Sequence, residues 1–288
     1  SYEELLDVAR AAAALGITRF KVTGGEPLVR RDCPEFIGEL KKIPGVEQVT
    51  MTSNGVLLAR LLPRLLENGL DAVNVSLDTL KRERFSEITG MDELPAVLSG
   101  IDEALRAGLK LKLNAVLQPG VNEEERWELL SLAKDRPLDI RFIELMPIGC
   151  ARTEGYRGVP MDEVREHLKE AFGALLPVGE ATHGNAVPVG PAAYVRPAGF
   201  RGALGFIDAM DHKFCDTCNR VRLTAEGFLK LCLYSNAGLD TRTLLRSGVT
   251  DAQLRERIAH AVWKKPAEHY FEMDSETRDQ RAMYQVGG

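Results

Sequence analysis

The hydrophobic positions of the first 145 residues repeat one unit, a short apolar run followed by a longer stretch whose apolar residues fall three or four apart. The runs at 19–22, 48–51, 72–77, 109–116 and 138–145 read as strands, and the stretches at 32–41, 57–67, 94–107 and 123–133 read as helices. Gly16, Gly45, Asn68-Gly69 and Gly108 fall where helices must end and lead back into parallel strands. Residues 1–15 carry the same helical spacing, so the chain opens on the helix of a βα unit. A strand ahead of Ser1 is expected, because an open first edge would be a liability.

Beyond Pro147 the rhythm breaks. Residues 160–171 read as one more helix, with Pro160 near its start and Asp162 and Glu163 in the first turn, where negative charge suits the helix dipole. Residues 176–202, rich in Pro, Gly, Ala and Val, read as irregular chain with short strands. Further strands are expected at 203–207, 220–223 and 229–233, with Ala225-Glu226-Gly227 as the turn between the last two, and helices at 241–247 and 251–263. The tail after Lys265 is polar and reads as a frayed end. The chain thus divides into 1–147 and 148–288.

Composition narrows the class. A chain of 288 residues with 44% apolar and 27% charged residues buries a core and is neither disordered nor of low complexity. The net charge of −5 gives no reason to expect a nucleic-acid coat, and no apolar run reaches 18 residues, so neither nucleic acid nor membrane is an expected partner. Five cysteines make a poor disulfide framework and fit a reducing, cytoplasmic setting. Cys33 and Cys150 stand alone and read as small buried side chains.

The other three share the segment "FCDTCNRVRLTAEGFLKLC", residues 214–232. Cys215-x2-Cys218 is a turn that brings two thiols to one place, and a strand, turn and strand return Cys232 beside them. Zinc would need a fourth ligand, for which His212 is a candidate; an iron–sulfur cluster held by three cysteines would leave one iron open. Spacing leaves both standing. Arg220 and Arg222 alternate on the expected strand and would share a face, a fork suited to phosphate or two solvent-facing side chains on an edge. At the other end, "FKVTGGEPLVR" sets Gly24-Gly25 directly after a strand, with the Glu26 carboxylate next to them. It lacks the Gly-Lys-Ser/Thr ending of a P-loop and the Rossmann glycine spacing. Thr52-Ser53-Asn54-Gly55, and Ser76 with Asp78, end two further strands, and in a (β/α) barrel those ends form the active-site face.

Taken together, "TGGEPLVR", "TSNG", "NVSLD", "KLNAV", "RFIELMPIG" and "FCDTCNRVRLT" with "LKLC" resemble, in the same order, the GTP 3',8-cyclase family of radical S-adenosylmethionine enzymes, lyases of molybdenum cofactor biosynthesis. The resemblance implies an incomplete (β/α)6 TIM-like barrel, its first strand not in this chain, with a C-terminal extension that carries a second four-iron, four-sulfur cluster. It implies that Cys215, Cys218 and Cys232 hold that cluster, whose open iron meets the guanine of GTP. Arg19, Lys21, Lys112, Arg220 and Arg222 would bind GTP. Gly24, Gly25 and Glu26 would hold the methionyl ammonium of S-adenosylmethionine, with Thr52, Ser76, Arg141 and Met146 in the same pocket. The implied reaction splits S-adenosylmethionine to a 5'-deoxyadenosyl radical, which takes the ribose 3' hydrogen of GTP and leads to closure onto C8. The terminal Gly287-Gly288 would reach into the active site. A homodimer is implied, and hand-over of the product to cyclic pyranopterin monophosphate synthase. One departure is plain: the family's Cys-x3-Cys-x2-Cys motif for the first cluster does not occur here, and Cys33 and Cys150 lack its spacing. That motif, with a further GTP-binding arginine, is expected ahead of Ser1, and the 288 residues alone are expected not to make the radical.

Two rivals differ in what they require. Another radical S-adenosylmethionine enzyme would share the glycine turn but would not need paired arginines beside three cysteines. A zinc-stabilised RNA-binding module would need a fourth ligand and a basic face with exposed aromatics, and aromatics are 6% of this chain.

Overall fold

Alternation along the strands decides the architecture. The computed structural model describes residues 1–146, 158–178, 192–208, 215, 218–266, 281 and 285. The expectations placed on Cys150, His212 and the Gly287-Gly288 end lie outside those residues. In chain order the first half runs α1 (Tyr2–Ala14), β1 (Arg19–Val22), α2 (Cys33–Lys42), β2 (Gln48–Ser53), α3 (Leu58–Glu67), β3 (Ala72–Ser76), α4 (Arg82–Thr89), α5 (Leu94–Arg106), β4 (Lys110–Val116), α6 (Arg126–Asp135) and β5 (Asp139–Ile143). The second half runs α7 (Met161–Phe172), β6 (Leu176–Val178), β7 (Ala193–Arg196), β8 (Leu204–Ile207), β9 (Arg222–Leu223), β10 (Phe228–Lys230), β11 (Gly238–Asp240), α8 (Thr241–Arg246) and α9 (Asp251–Trp263).

One eight-stranded sheet has the order β1-β2-β3-β4-β5-β8-β7-β6. The first six are parallel, and β7 and β6 extend the β8 edge antiparallel. Val49 and Met51, Val73 and Val75, Leu111 and Leu113, Ile140 and Phe142 point to one face and are fully buried. On that face they share a core with Ile37 of α2, Leu58 and Leu65 of α3, Val97 and Ile101 of α5, and Leu129 of α6. Each such side chain contributes about 1.5–3 kcal/mol on burial, so this face holds the fold together.

The strands β9, β10 and β11 form a separate antiparallel sheet. Leu229 of β10 shares a small second core with Val8 and Ala11 of α1 and with Leu254 and Ile258 of α9. The N-terminus of α9 is held by a capping box. Gln253 N donates to Thr250 Oγ1 at 3.3 Å, and Thr250 N donates to Gln253 Oε1 at 2.9 Å. An Arg246 Nε–Glu4 Oε1 pair at 2.8 Å ties α8 to α1.

Four elements differ from expectation, one of them the strand expected at 229–233, which ends at Lys230 because the chain bends there toward Cys232. The helix α4 forms where none was expected, because its sequence buries only Phe85 and so shows no apolar stripe. The three-residue β11 is too short to carry a period. The strand expected to begin at Arg220 begins at Arg222, beside the cysteine turn.

Candidate functional site: a polar sheet face and a cysteine–arginine cluster

Parallel strands covered on both faces read as continuous apolar runs. Here polar residues alternate with apolar ones over most of β1 to β5, and pairing lines the polar positions up across strands. One row runs Thr52, Asn74, Lys112 and Asp139. The next runs Ser76, Asn114, Arg141, Gly205 and Tyr194. Within the rows Asn74 Nδ2 donates to Thr52 Oγ1 at 3.3 Å, and Arg141 Nε donates to Asn114 Oδ1 at 2.8 Å. Lys112 Nζ donates to Tyr194 Oη at 3.2 Å, with the ring centroid 5.1 Å away. Four strands of a flat sheet would set β4 and β7 about 14 Å apart. Contact between their side chains shows that the sheet curls and that the polar face is its concave side. Arg19 and Lys21 occupy the corresponding exposed positions of β1.

The glycine turn opens onto the end of this face. A Cβ at Gly24 would meet nothing within 4 Å, so the backbone there fronts open space, as does Gly25, which is exposed. The Glu26 carboxylate is already engaged. Its Oε1 accepts from Leu28 N at 3.0 Å and Ser53 Oγ at 2.9 Å, and its Oε2 accepts from Asn54 N at 2.6 Å. An ionised carboxylate offers roughly four acceptor directions, so one remains for a ligand ammonium. Glu26 therefore binds the glycine turn to the end of β2 before any ligand arrives. Met146 lies half-buried beyond β5.

Asp78, just past β3, accepts from Val116 N at 2.8 Å, and the neighbouring carbonyls of Asp78 and Val116 accept from the buried Asn122 amide at 2.8 and 3.0 Å. Burial pushes the Asp78 carboxyl up to about 6, against the weaker pull of the Val116 N–H. A carboxyl raised on folding binds its proton more tightly in the folded state, so its contribution is most favourable below about pH 4 and is lost as pH rises through about 6. Asp78→Asn, which keeps the acceptor oxygen, is expected to be more stable than the parent at pH 7 by up to about 3 kcal/mol. Urea unfolding at pH 4 and pH 7 checks this, the difference shrinking toward pH 4.

The three cysteines flank the strands of the smaller sheet, Cys215 and Cys218 ahead of β9 and Cys232 after β10. Cys218 N donates to Cys215 O at 3.1 Å, which closes the turn, and Cys232 follows β10 by two residues. Burial opposes ionisation of Cys218, yet the Arg220 backbone N–H, the Arg220 guanidinium and Lys265 together hold its thiol below the ordinary range. The Arg220 N–H thus faces the Cys218 sulfur, and β9 starts two residues later than the spacing predicts. Arg220 therefore lies in irregular backbone, and the shared face expected from strand alternation with Arg222 does not arise that way. Burial pushes the Arg222 guanidinium down to about 10, and Arg220 adds to the shift, while Cys218 and Cys232 oppose it. Lys265 Nζ lies 3.6 Å from Cys218 Sγ and donates to Leu231 O at 3.0 Å. Among the described residues no three His, Cys, Asp or Glu side chains converge on a single-ion position. Cys218 and Cys232 have cationic neighbours, Arg220, Arg222 and Lys265 beside the first and Arg222 and Lys230 beside the second, surroundings that suit an anionic iron–sulfur cluster.

The structure thus sorts the expected residues into two groups. Gly24, Gly25, Glu26, Thr52, Ser76, Lys112 and Arg141 belong to the large sheet's polar face and its strand ends, with Arg19 and Lys21 at its edge; Arg222 belongs to the small sheet, and Arg220 and the cysteines to the irregular chain that flanks its strands. Asn74, Asn114 and Tyr194 join the first group unforeseen. The two asparagines stood in plain view within "NVSLD" and "KLNAV", each in step with a polar neighbour two residues away.

Residues 1–133 match the Radical SAM superfamily, and residues 138–271 match the family described as Molybdenum Cofactor Synthesis C. The first match and the mostly parallel α/β sheet define the class, that of radical S-adenosylmethionine enzymes. GTP 3',8-cyclase of Clostridium perfringens (strain 13 / Type A) is 42% identical over 286 residues, 99% of this chain and 86% of that protein. The enzyme of the same name from Moorella thermoacetica is 44% identical over 288 residues, again 99% and 86%. That of Pseudomonas putida (strain W619) is 42% identical over 294 residues, 100% and 86%. The chain belongs to the GTP 3',8-cyclase family.

Proposed function

We propose that this chain forms the substrate- and cofactor-binding body of an enzyme that converts GTP to (8S)-3',8-cyclo-7,8-dihydroguanosine 5'-triphosphate, the first step of molybdenum cofactor biosynthesis. The observation that carries the reading is Arg222, a half-buried guanidinium on β9 that lies close to Cys218 and Cys232. It sets an anion-binding fork against a cluster site. Cys215, Cys218 and Cys232 hold one four-iron, four-sulfur cluster, and Arg220 and Arg222 hold GTP against it. Arg19, Lys21 and Lys112 bind the triphosphate from the concave face, where clustered cations favour a multiply charged ligand.

S-Adenosylmethionine takes the open ground before Gly24 and Gly25. Its ammonium uses the remaining acceptor of Glu26, and its carboxylate pairs with Arg141, which Asn114 holds by its Nε. Thr52, Ser76 and Met146 complete that pocket. When bound, the S-adenosylmethionine and the clusters supply the radical that removes the ribose 3' hydrogen. The protein's part is to hold that hydrogen within reach and to keep water and other donors out. Residues 1–288 provide ligands for the second of two clusters only, so by themselves they bind substrate and do not start the reaction. In this reading the large sheet is part of an incomplete (β/α)6 barrel, the division near residue 147 separates it from the extension, Gly287-Gly288 enters the active site, and the enzyme acts as a cytoplasmic homodimer that passes its product to cyclic pyranopterin monophosphate synthase.

Anaerobic iron and sulfide analysis of the 288-residue polypeptide tests the reading, with about four of each per chain expected. One zinc per chain and no sulfide would sink it.

A further inference from the structure

Two strands, β5 and β8, stand between Lys112 on β4 and Tyr194 on β7, yet the Lys112 ammonium donates to the Tyr194 hydroxyl at 3.2 Å. The tyrosine reaches it by crossing Gly205. A Cβ at Gly205 would come 2.8 Å from Tyr194 Cε1 and 2.9 Å from Arg141 Cγ, distances no packed side chains sustain. Absence of a side chain there lets the ring and the arginine stem lie side by side. Tyr194 is only 6% exposed, so its ring is wedged. The hydroxyl fixes the lysine's end, the ring face adds a cation–π attraction at 5.1 Å, and Asn114 fixes the arginine separately.

The geometry points to Tyr194 as a positioning residue that commits Lys112 to the GTP triphosphate and keeps it from the S-adenosylmethionine carboxylate at Arg141. This inference rests on the proposed role of Lys112 as a GTP ligand. A lysine stem has four rotatable bonds, and a free one would surrender their entropy when it gripped a ligand; Tyr194 removes much of that loss in advance. The residue comes from the part of the chain that matches Molybdenum Cofactor Synthesis C, whereas Lys112 lies in the part that matches Radical SAM. Tyr194 is thus where the second part takes hold of a side chain belonging to the first.

The test is equilibrium binding of GTP and, separately, of S-adenosylmethionine to the cluster-loaded full-length enzyme, by calorimetry without oxygen. Tyr194→Phe keeps the wedge and loses the hydroxyl. It is expected to weaken GTP binding by about five- to tenfold, leave S-adenosylmethionine affinity within about twofold, and raise the KM for GTP without lowering kcat. Lys112→Ala is expected to weaken GTP binding further, and adding Tyr194→Phe to it to change nothing more, since the hydroxyl acts through the lysine. A Tyr194→Phe protein with parental GTP affinity, or one that weakens both ligands alike, would overturn the inference while Lys112→Ala still showed its loss. If Lys112→Ala itself bound GTP normally, the underlying reading of Lys112 would fail and this inference with it.

Discussion

Arg222→Ala is expected to weaken GTP binding by about a hundredfold while iron and sulfide content stays at the parental level. Hydrogen bonds to charged groups contribute about 1.5–3 kcal/mol each, and a bidentate fork makes two. The guanidinium also starts from a costly position, because burial and Arg220 both disfavour its charge and only the neighbouring thiols oppose them. An anionic ligand completes that balance, so the gain on binding exceeds that of an exposed arginine. Arg222→Lys is expected to recover only part of the affinity, since an ammonium cannot present the fork. Calorimetric titration with GTP alongside iron analysis separates the two effects. Loss of cluster with loss of affinity would instead mean that Arg222 serves the cysteines.

Gly202→Ala is expected to cost the fold about 3 kcal/mol or more and to lower the melting temperature by about 10 °C. A Cβ at Gly202 would lie 1.7 Å from the Leu138 carbonyl oxygen and 3.2 Å from Ala133 Cβ. Gly202 N also donates to Ala133 O at 2.8 Å, so the loop cannot retreat without breaking that bond. The contact lies where the chain, after its excursion through β6 and β7, returns to add β8 beside β5. Thermal unfolding watched by circular dichroism checks the prediction; an unchanged transition would mean that the Gly202 loop does not hold β8 against β5.

The two features differ in how visibly they are written in the chain. The strands β1 to β5 were legible to within two residues, because their buried positions alternate with polar ones and their helices carry a broad apolar stripe. The cysteine turn was legible too, from Cys215-x2-Cys218 and the return at Cys232. The way β8 extends the parallel sheet, with β7 and β6 beyond it, was not. Pairing partners far apart in sequence are chosen by shape, and nothing local in "ALGFI" names β5 as its neighbour. The same reason hid Tyr194, which meets Lys112 only because the sheet curls. At Arg220 the difference is more local, since a strand of two residues beside the cysteine turn is too short for propensity to fix where it begins.

The alternation of β2, β3, β4 and β5 divides labour by parity. Val49, Met51, Val73, Leu111 and Phe142 answer to the core, while Thr52, Asn74, Lys112 and Arg141 answer to whatever occupies the hollow. Because the period is two, one inserted residue inside any of these strands would exchange the two sets from that point on, sending Leu113 into the hollow and Lys112 into the oil. Point substitutions trade one office at a time, but a change of length trades them all.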